Sequence, residues 1–280
     1  MEKELEKVIH DALKEDCSDK DLTSLAIIDP KKEGFGNFVV KASGVVSGTE
    51  IIKEVYRQIN PKIKVNIVKN DGEYVHKGDV IAAVSGRMND IIKGETVVLN
   101  FLQIISGVAT ITDKYAEELK GTNCMIRDTR LTTPLLRKFE KLAVIHGNGE
   151  NSRFNLSDQV LIRDYHIAMA GSIIDAVDSV RSKYGYDIIV EVEVSTEEEY
   201  HEALDTDCDI IMLNNMSNEM IALLCSIPHK GKKIEVSGNI SIGRLRSIAM
   251  LGIDYISIDS LSHGSKGLDI CFKFLKKTYK

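Results

Sequence analysis

The rhythm of hydrophobic positions changes near residue 120, and that change divides the chain. Leu5, Val8, Ile9, Ala12 and Leu13 recur at helical spacing over 4–14, so one face of a short N-terminal helix is apolar. A turn-rich stretch over 16–21 ends it. Short runs at 36–41, 62–68 and 80–84 have strand character, with a helix predicted over Thr49–Ile59 between the first two. Residues 71–86 mix strand residues with Gly-containing turns. A long helical pattern then covers 94–119, opening at Gly94 and joining the two halves. It holds Gly107 inside, where another backbone can approach closely.

From residue 124 onward, short apolar runs alternate with helical stretches. Strands are predicted at 124–127, Val160–Ile162, 188–192, 210–213, 233–236 and 255–258, with 143–146 as a candidate seventh. Helices are predicted at 196–204, Asn218–Cys225 and 240–250. Such alternation calls for parallel strands joined by crossover helices. The predicted fold class is α/β: a C-terminal TIM-like α/β barrel, closed or incomplete, with an N-terminal α+β sandwich. An open doubly wound sheet is the structural rival. The predicted boundaries are 1–110 for the sandwich, with a C-terminal helix over 267–280 packing on it, and 111–266 for the barrel.

The residues just after each predicted strand carry the chemistry. Asp128, Thr129 and Arg130 come after the first, Arg163 and Asp164 after the next, then Glu193, Asn214-Asn215, Ser237-Gly238-Asn239 and Asp259-Ser260. In an α/β barrel these ends meet at one rim, where active sites are built. Any one of them is most simply the polar start of a loop; the whole set points to an enzyme. Arg130, Arg153 and Arg163 supply guanidinium forks that match carboxylates and phosphates, whereas Arg137 is expected to form a structural ion pair. Ser237-Gly238-Asn239-Ile240 is expected to open a helix whose N-terminus accepts a phosphate, with Asp259, Ser260 and His263 beside it.

Charge and cysteine usage narrow the partners. A net charge of −6 disfavours nucleic acid, whose phosphates it repels overall. The five cysteines form no Cys-x-x-Cys pair, so reduced thiols are expected rather than zinc or disulfides. The charged N-terminus has no apolar core of a signal peptide, and no run of about 18 apolar residues predicts a membrane span. A soluble, cytoplasmic protein acting on a small anion is expected.

The motifs resemble those of the quinolinate phosphoribosyltransferase family along nearly the whole chain. They are Glu15-Asp16 through Asp21-Leu-Thr-Ser24, Glu95-Thr-Val-Val-Leu-Asn-Phe-Leu-Gln103 running on to Ser106-Gly-Val-Ala-Thr110, and Asp128-Thr-Arg-Leu-Thr-Thr-Pro-Leu-Leu-Arg137. Glu191-Val-Glu-Val194, Ile211-Met-Leu-Asn-Asn-Met216, Ser237-Gly-Asn-Ile240 and Leu268-Asp-Ile270 continue in order. The resemblance implies transfer of a phosphoribosyl group from phosphoribosyl pyrophosphate to quinolinate, with loss of carbon dioxide, giving nicotinate mononucleotide for NAD synthesis. It implies homodimers whose active sites use both subunits, and Mg²⁺ held at Glu193 and Asn214. By motif position, Arg130 and Arg153, aided by Arg163, clamp the acceptor's carboxylates, with Thr129, Leu131 and Ser152 alongside. Glu193 serves the ribose hydroxyls or their metal; Ser237, Gly238, Asn239, Asp259, Ser260 and His263 surround the 5′-phosphate.

Several of these positions depart from the family's pattern. Thr96 and Leu131 replace cations, Ser152 a histidine, Arg163 a lysine, Asn214 an acid, and Asn239 and Asp259 glycines. Losing one charge-assisted hydrogen bond costs about 1.5–3 kcal/mol. Two alternatives therefore stay open beside the family reaction. One is a divergent paralogue, resembling the molybdenum-operon relatives, acting on another anion. The other is a binding protein without turnover.

Overall fold

A computed structural model describes residues 2–16 and 20–275. Cys17 and the middle of the predicted 16–21 turn lie outside the described residues. In chain order the elements are α1 (Glu2–Asp16), α2 (Leu22–Ile27), β1 (Glu33–Val40), β2 (Gly44–Val45), α3 (Thr49–Ile59), β3 (Lys64–Ile67), β4 (Tyr74–Val75), β5 (Val80–Arg87), α4 (Met88–Glu118), β6 (Met125–Arg127) and α5 (Arg137–His146). They continue with β7 (Val160–Ile162), α6 (Asp164–Ala170), α7 (Ile173–Tyr184), β8 (Val190–Val194), α8 (Glu197–Leu204), β9 (Ile210–Asn214), α9 (Asn218–Cys225), β10 (Lys233–Ser237), α10 (Ile242–Ala249), β11 (Tyr255–Ser257), α11 (Ser260–His263) and β12 (Ile270–Phe274).

Two compact units share the chain. One comprises 1–113, 133–147 and 265–280; the other comprises 114–132 and 148–264. The first holds an antiparallel sheet ordered β12-β1-β5-β3. Its core comes from Phe38, Ile81 and Val84 on the strands and from Ile51, Ile52, Val55 and Tyr56 on α3, all buried. Those α3 positions recur at i, i+1, i+4 and i+5, one face of a 3.6-residue helix. α4 is the one described helix long and apolar enough to cross a membrane; 56% of its apolar window is buried inside the protein, as a core helix requires. Gly107 stands where a Cβ would meet the Lys266 carbonyl oxygen at 2.5 Å, the close backbone approach expected of it.

Three expectations need correction in this unit. The C-terminal segment predicted as a helix over 267–280 instead holds strand β12, paired in register with β1 from Gly36↔Phe274 to Val40↔Ile270; its last five positions, 276–280, lie outside the described residues. The alternating Ile270, Phe272 and Phe274 suit a pleated edge. Residues 143–146 are not a strand but the end of α5, where Phe139, Glu140, Ala143 and Val144 are buried at helical spacing. α4 opens at Met88 rather than Gly94, which lies within it against the Tyr56 ring.

The second unit holds a parallel sheet ordered β6-β11-β10-β9-β8-β7. β6 and β7 end the ladder, and β6 makes one further parallel bridge, Arg127↔Glu150. Three helices here, α7, α8 and α9, carry their own start signal. Ser172, Thr196 and Ser217 accept the N–H of Asp175, Glu199 and Met220 through their side chains, satisfying donors that the helix cannot. The predicted 188–192 strand is displaced to Val190–Val194, so Glu193 lies within β8 rather than after it.

Candidate active site

A cavity of about 250 Å³ opens at the C-terminal ends of the parallel strands. Four neighbouring strands each give it an i, i+2 pair, the β7 pair ending one residue past the strand, because alternate strand residues share a face. The pairs are Leu161 and Arg163, Glu191 and Glu193, Met212 and Asn214, and Glu235 and Ser237. Asp128, Thr129, Arg130 and Leu131 after β6, Ser152 and Arg153 before β7, and Asp259 after β11 complete the wall. Eleven of the expected residues are thus brought together: Asp128, Thr129, Arg130, Leu131, Ser152, Arg153, Arg163, Glu193, Asn214, Ser237 and Asp259.

The outer ring is tied to Glu193. Arg163 Nε donates to its Oε2 at 3.0 Å and Asn214 Nδ2 to its Oε1 at 2.8 Å. Burial works against the Arg163 charge, but Glu193, Tyr165 and Asp164 together outweigh it and the guanidinium pKa rises. Arg153 behaves oppositely: burial and then the neighbouring Arg130 charge push its pKa down. Two guanidiniums crowded at one mouth repel each other, and an arriving anion relieves that repulsion. His166, whose Nδ1 accepts the Arg163 N–H at 3.0 Å, is lowered by burial, Arg153 and Arg163. These cations and its burial disfavour protonation of the ring. Asp128 Oδ1 accepts both the backbone N–H (2.7 Å) and the hydroxyl (3.0 Å) of Ser152, anchoring the residue next to Arg153.

Beneath that ring is a buried ionic layer. Arg127 Nη1 donates to Glu235 Oε2 at 2.7 Å and Nη2 to Glu150 Oε1 at 3.1 Å, with its guanidinium 3.8 Å from the Tyr255 ring centre. Glu191 Oε2 accepts from Gln159 Nε2 at 2.9 Å. Burial, then the Glu235 charge, lifts the Glu191 carboxyl well above the usual carboxylate range against the pull of Arg127 and Arg153. Attention to strand ends alone missed Glu191, Glu235, Met212 and Leu161. Their signal was the alternation two residues inward of each polar end, plain in Glu191-Val-Glu-Val194.

The expected phosphate corner is only partly assembled at the cavity. Ser237 and Asp259 line it; Gly238, Asn239, Ser260 and His263 do not. Residues 237–240 do not open the helix either: α10 begins at Ile242 with Ser241 as its cap. Gly238 and Asn239 adopt φ of 91° and 47° instead, a left-handed turn that replaces the helix start. The φ of 91° at position 238 is one that L side chains rarely adopt, so glycine suits it.

A divalent cation held here would draw on the carboxylate charge at positions 193 and 214, and Asn214 supplies a neutral amide in place of a second carboxylate. Glu193 carries an amide donor on one oxygen and a guanidinium on the other, and Asn214 turns its N–H₂ toward it. Among the described residues no group of three or more His, Cys, Asp or Glu side chains is arranged to hold a metal ion. This donor set does not fit an Mg²⁺ ion held by these side chains.

Fold and cavity define an α/β protein with a cavity lined by arginines and carboxylates at the ends of parallel strands. Sequence comparison narrows this class. Residues 21–106 match the family described as quinolinate phosphoribosyl transferase, N-terminal domain, and residues 108–273 its C-terminal domain. The chain belongs to the quinolinate phosphoribosyltransferase family. It is 37% identical over 267 residues to the "Probable nicotinate-nucleotide pyrophosphorylase", carboxylating, of Bacillus subtilis, covering 95% of this chain and 92% of that protein. Among solved structures, NadC from Streptococcus pyogenes superposes with a TM-score of 0.91 at 35% identity, covering 96% of each chain. The nicotinate-nucleotide pyrophosphorylase of Francisella tularensis gives 0.91 at 29% identity, covering 98% of this chain and 96% of that one.

Proposed function

We propose that this chain transfers a phosphoribosyl group from phosphoribosyl pyrophosphate to quinolinate and releases carbon dioxide, giving nicotinate mononucleotide for NAD synthesis. The observation that carries this is that Arg130 and Arg153 both line the cavity at the strand ends, beside Glu193. Quinolinate brings two carboxylates, and two planar forks match them.

The residues divide the work by charge. Arg130 and Arg153 orient the acceptor so that its ring nitrogen faces the anomeric carbon. As the carbon–oxygen bond to diphosphate breaks, positive charge grows on the ribose, and the Glu193 carboxylate is placed to stabilise it. The nitrogen lone pair forms the new bond and diphosphate leaves with the old electron pair. The carboxylate next to the ring nitrogen then departs as carbon dioxide, and a proton takes its place on the ring carbon. Ser237 offers its hydroxyl to the 5′-phosphate. Asp259 on the same wall repels that phosphate, so this end of the cavity binds it less tightly than an uncharged residue would allow.

The working unit is a homodimer in the cytoplasm. Supporting this are exposed apolar side chains on the first unit, Leu22, Leu25 and Ile27 on α2 and Leu142 and Ile145 on α5, which suit contact with a second copy.

The test is direct. Pure protein with quinolinate, phosphoribosyl pyrophosphate and Mg²⁺ should form nicotinate mononucleotide, and Arg130→Ala or Glu193→Ala should abolish product. Absence of product while quinolinate still raises the melting temperature would instead mark a binding protein.

A further inference from the structure

The acid end of the cavity departs from what a cation needs, and the departure has a single structural origin. Glu193 lies within β8, half-buried, and each of its oxygens accepts one hydrogen bond, which leaves each a lone pair for a further donor. Asn214, two residues along the face of β9 from Met212, reaches across to Oε1 at 2.8 Å, and Arg163 from the end of β7 reaches Oε2 at 3.0 Å. An aspartate at 214 would put two carboxylates side by side, which repel unless a cation lies between them. An amide reverses that: it donates to the carboxylate and removes the charge that a cation would require.

We propose that Asn214 turns this end of the cavity into a metal-free hydrogen-bonding clamp. It and Arg163 hold Glu193 ready to accept sugar hydroxyls directly, and Mg²⁺ enters only on the donor's diphosphate, as part of the substrate. Asn214 is thus a positioning residue acting through Glu193. The proposal rests on the phosphoribosyl-transfer reading above for its ligand, but its central claim concerns the ion alone.

The probe is Mn²⁺ without any substrate, its free fraction followed by electron paramagnetic resonance on the full chain. Wild type should show no saturable binding in the low millimolar range. Asn214→Asp should gain one site per chain, at least about tenfold tighter than any wild-type binding, since cation affinity follows ligand charge. Combining Asn214→Asp with Glu193→Gln should lose it again, with circular dichroism confirming that each variant folds. Micromolar Mn²⁺ binding by wild type that Glu193→Gln removes would overturn the proposal. So would an Asn214→Asp protein that gains no site. Neither result depends on turnover, so a failure of the quinolinate assignment is read separately. Where turnover occurs, Asn214→Asp should change KM for phosphoribosyl pyrophosphate by about tenfold while KM for quinolinate holds. Equal movement of both would reduce Asn214 to a purely structural role and defeat the claim.

Discussion

The antiparallel and parallel sheets use their inward positions differently. In the antiparallel sheet, Phe38, Ile81 and Val84 face a core closed by α3, with none above 1% exposed. In the parallel sheet, Arg127, Glu191 and Glu235 occupy strand positions just as hidden, at 5%, 3% and 1%. Burying an apolar side chain contributes about 1.5–3 kcal/mol. A buried ion pair contributes little net, because desolvation offsets the attraction. The parallel sheet therefore gives up stability at its centre. What it gains is a charged floor under the cavity whose walls carry Arg130, Arg153 and Glu193.

Substitutions can break or sharpen this contrast. The largest effect is expected from Arg127→Leu, which leaves Glu235 buried without its cation and should cost about 3–5 kcal/mol in urea unfolding. Adding Glu235→Leu should recover most of that; a double variant as unstable as the single would mean that the pair is a net source of stability. Ile81→Ala, in the apolar sheet, should cost about 2–5 kcal/mol while KM for quinolinate stays at the wild-type value. A shifted KM would show that the sandwich core reaches the chemistry. Thr196→Ala removes the side-chain cap of α8 and should cost about 1 kcal/mol, visible as a lower urea midpoint at unchanged slope.

The smallest readout is a slope with pH. Burial holds the folded-state pKa of Glu191 well above that of the unfolded chain, where it ionises above about pH 4.3. The native state then binds more protons, so stability falls as pH rises through that window and levels off once the folded group ionises. Glu191→Gln should flatten this fall. An unchanged slope would show that Glu191 is already ionised in the native protein.

The second unit was more legible in the sequence than the first. Its strands announced themselves as short β-branched runs between capped helices, and Val160–Ile162 and Asn218–Cys225 fell where the pattern put them. β12 was misread as a helix because a C-terminal strand has no hairpin partner nearby. Its ladder partner β1 lies more than 200 residues back in the chain. Most of the cavity was legible because strand ends are visible as a switch from apolar to polar residues. Glu191 and Glu235 were not, since an acidic residue inside a strand looks like a solvent-facing position until the other strands are placed around it.

The sequence by itself determined which residue types this protein can offer an anion, and the order of strands and helices that delivers them, because propensity, capping and periodicity are local. Only the tertiary structure decided that Asn214 and Arg163 both close on Glu193, and that Arg127 is sealed beneath the mouth rather than facing it. Those outcomes depend on the register between parallel strands. Each strand's own alternation fixes which face it buries, but which positions of separate strands meet is decided only when the strands pack together.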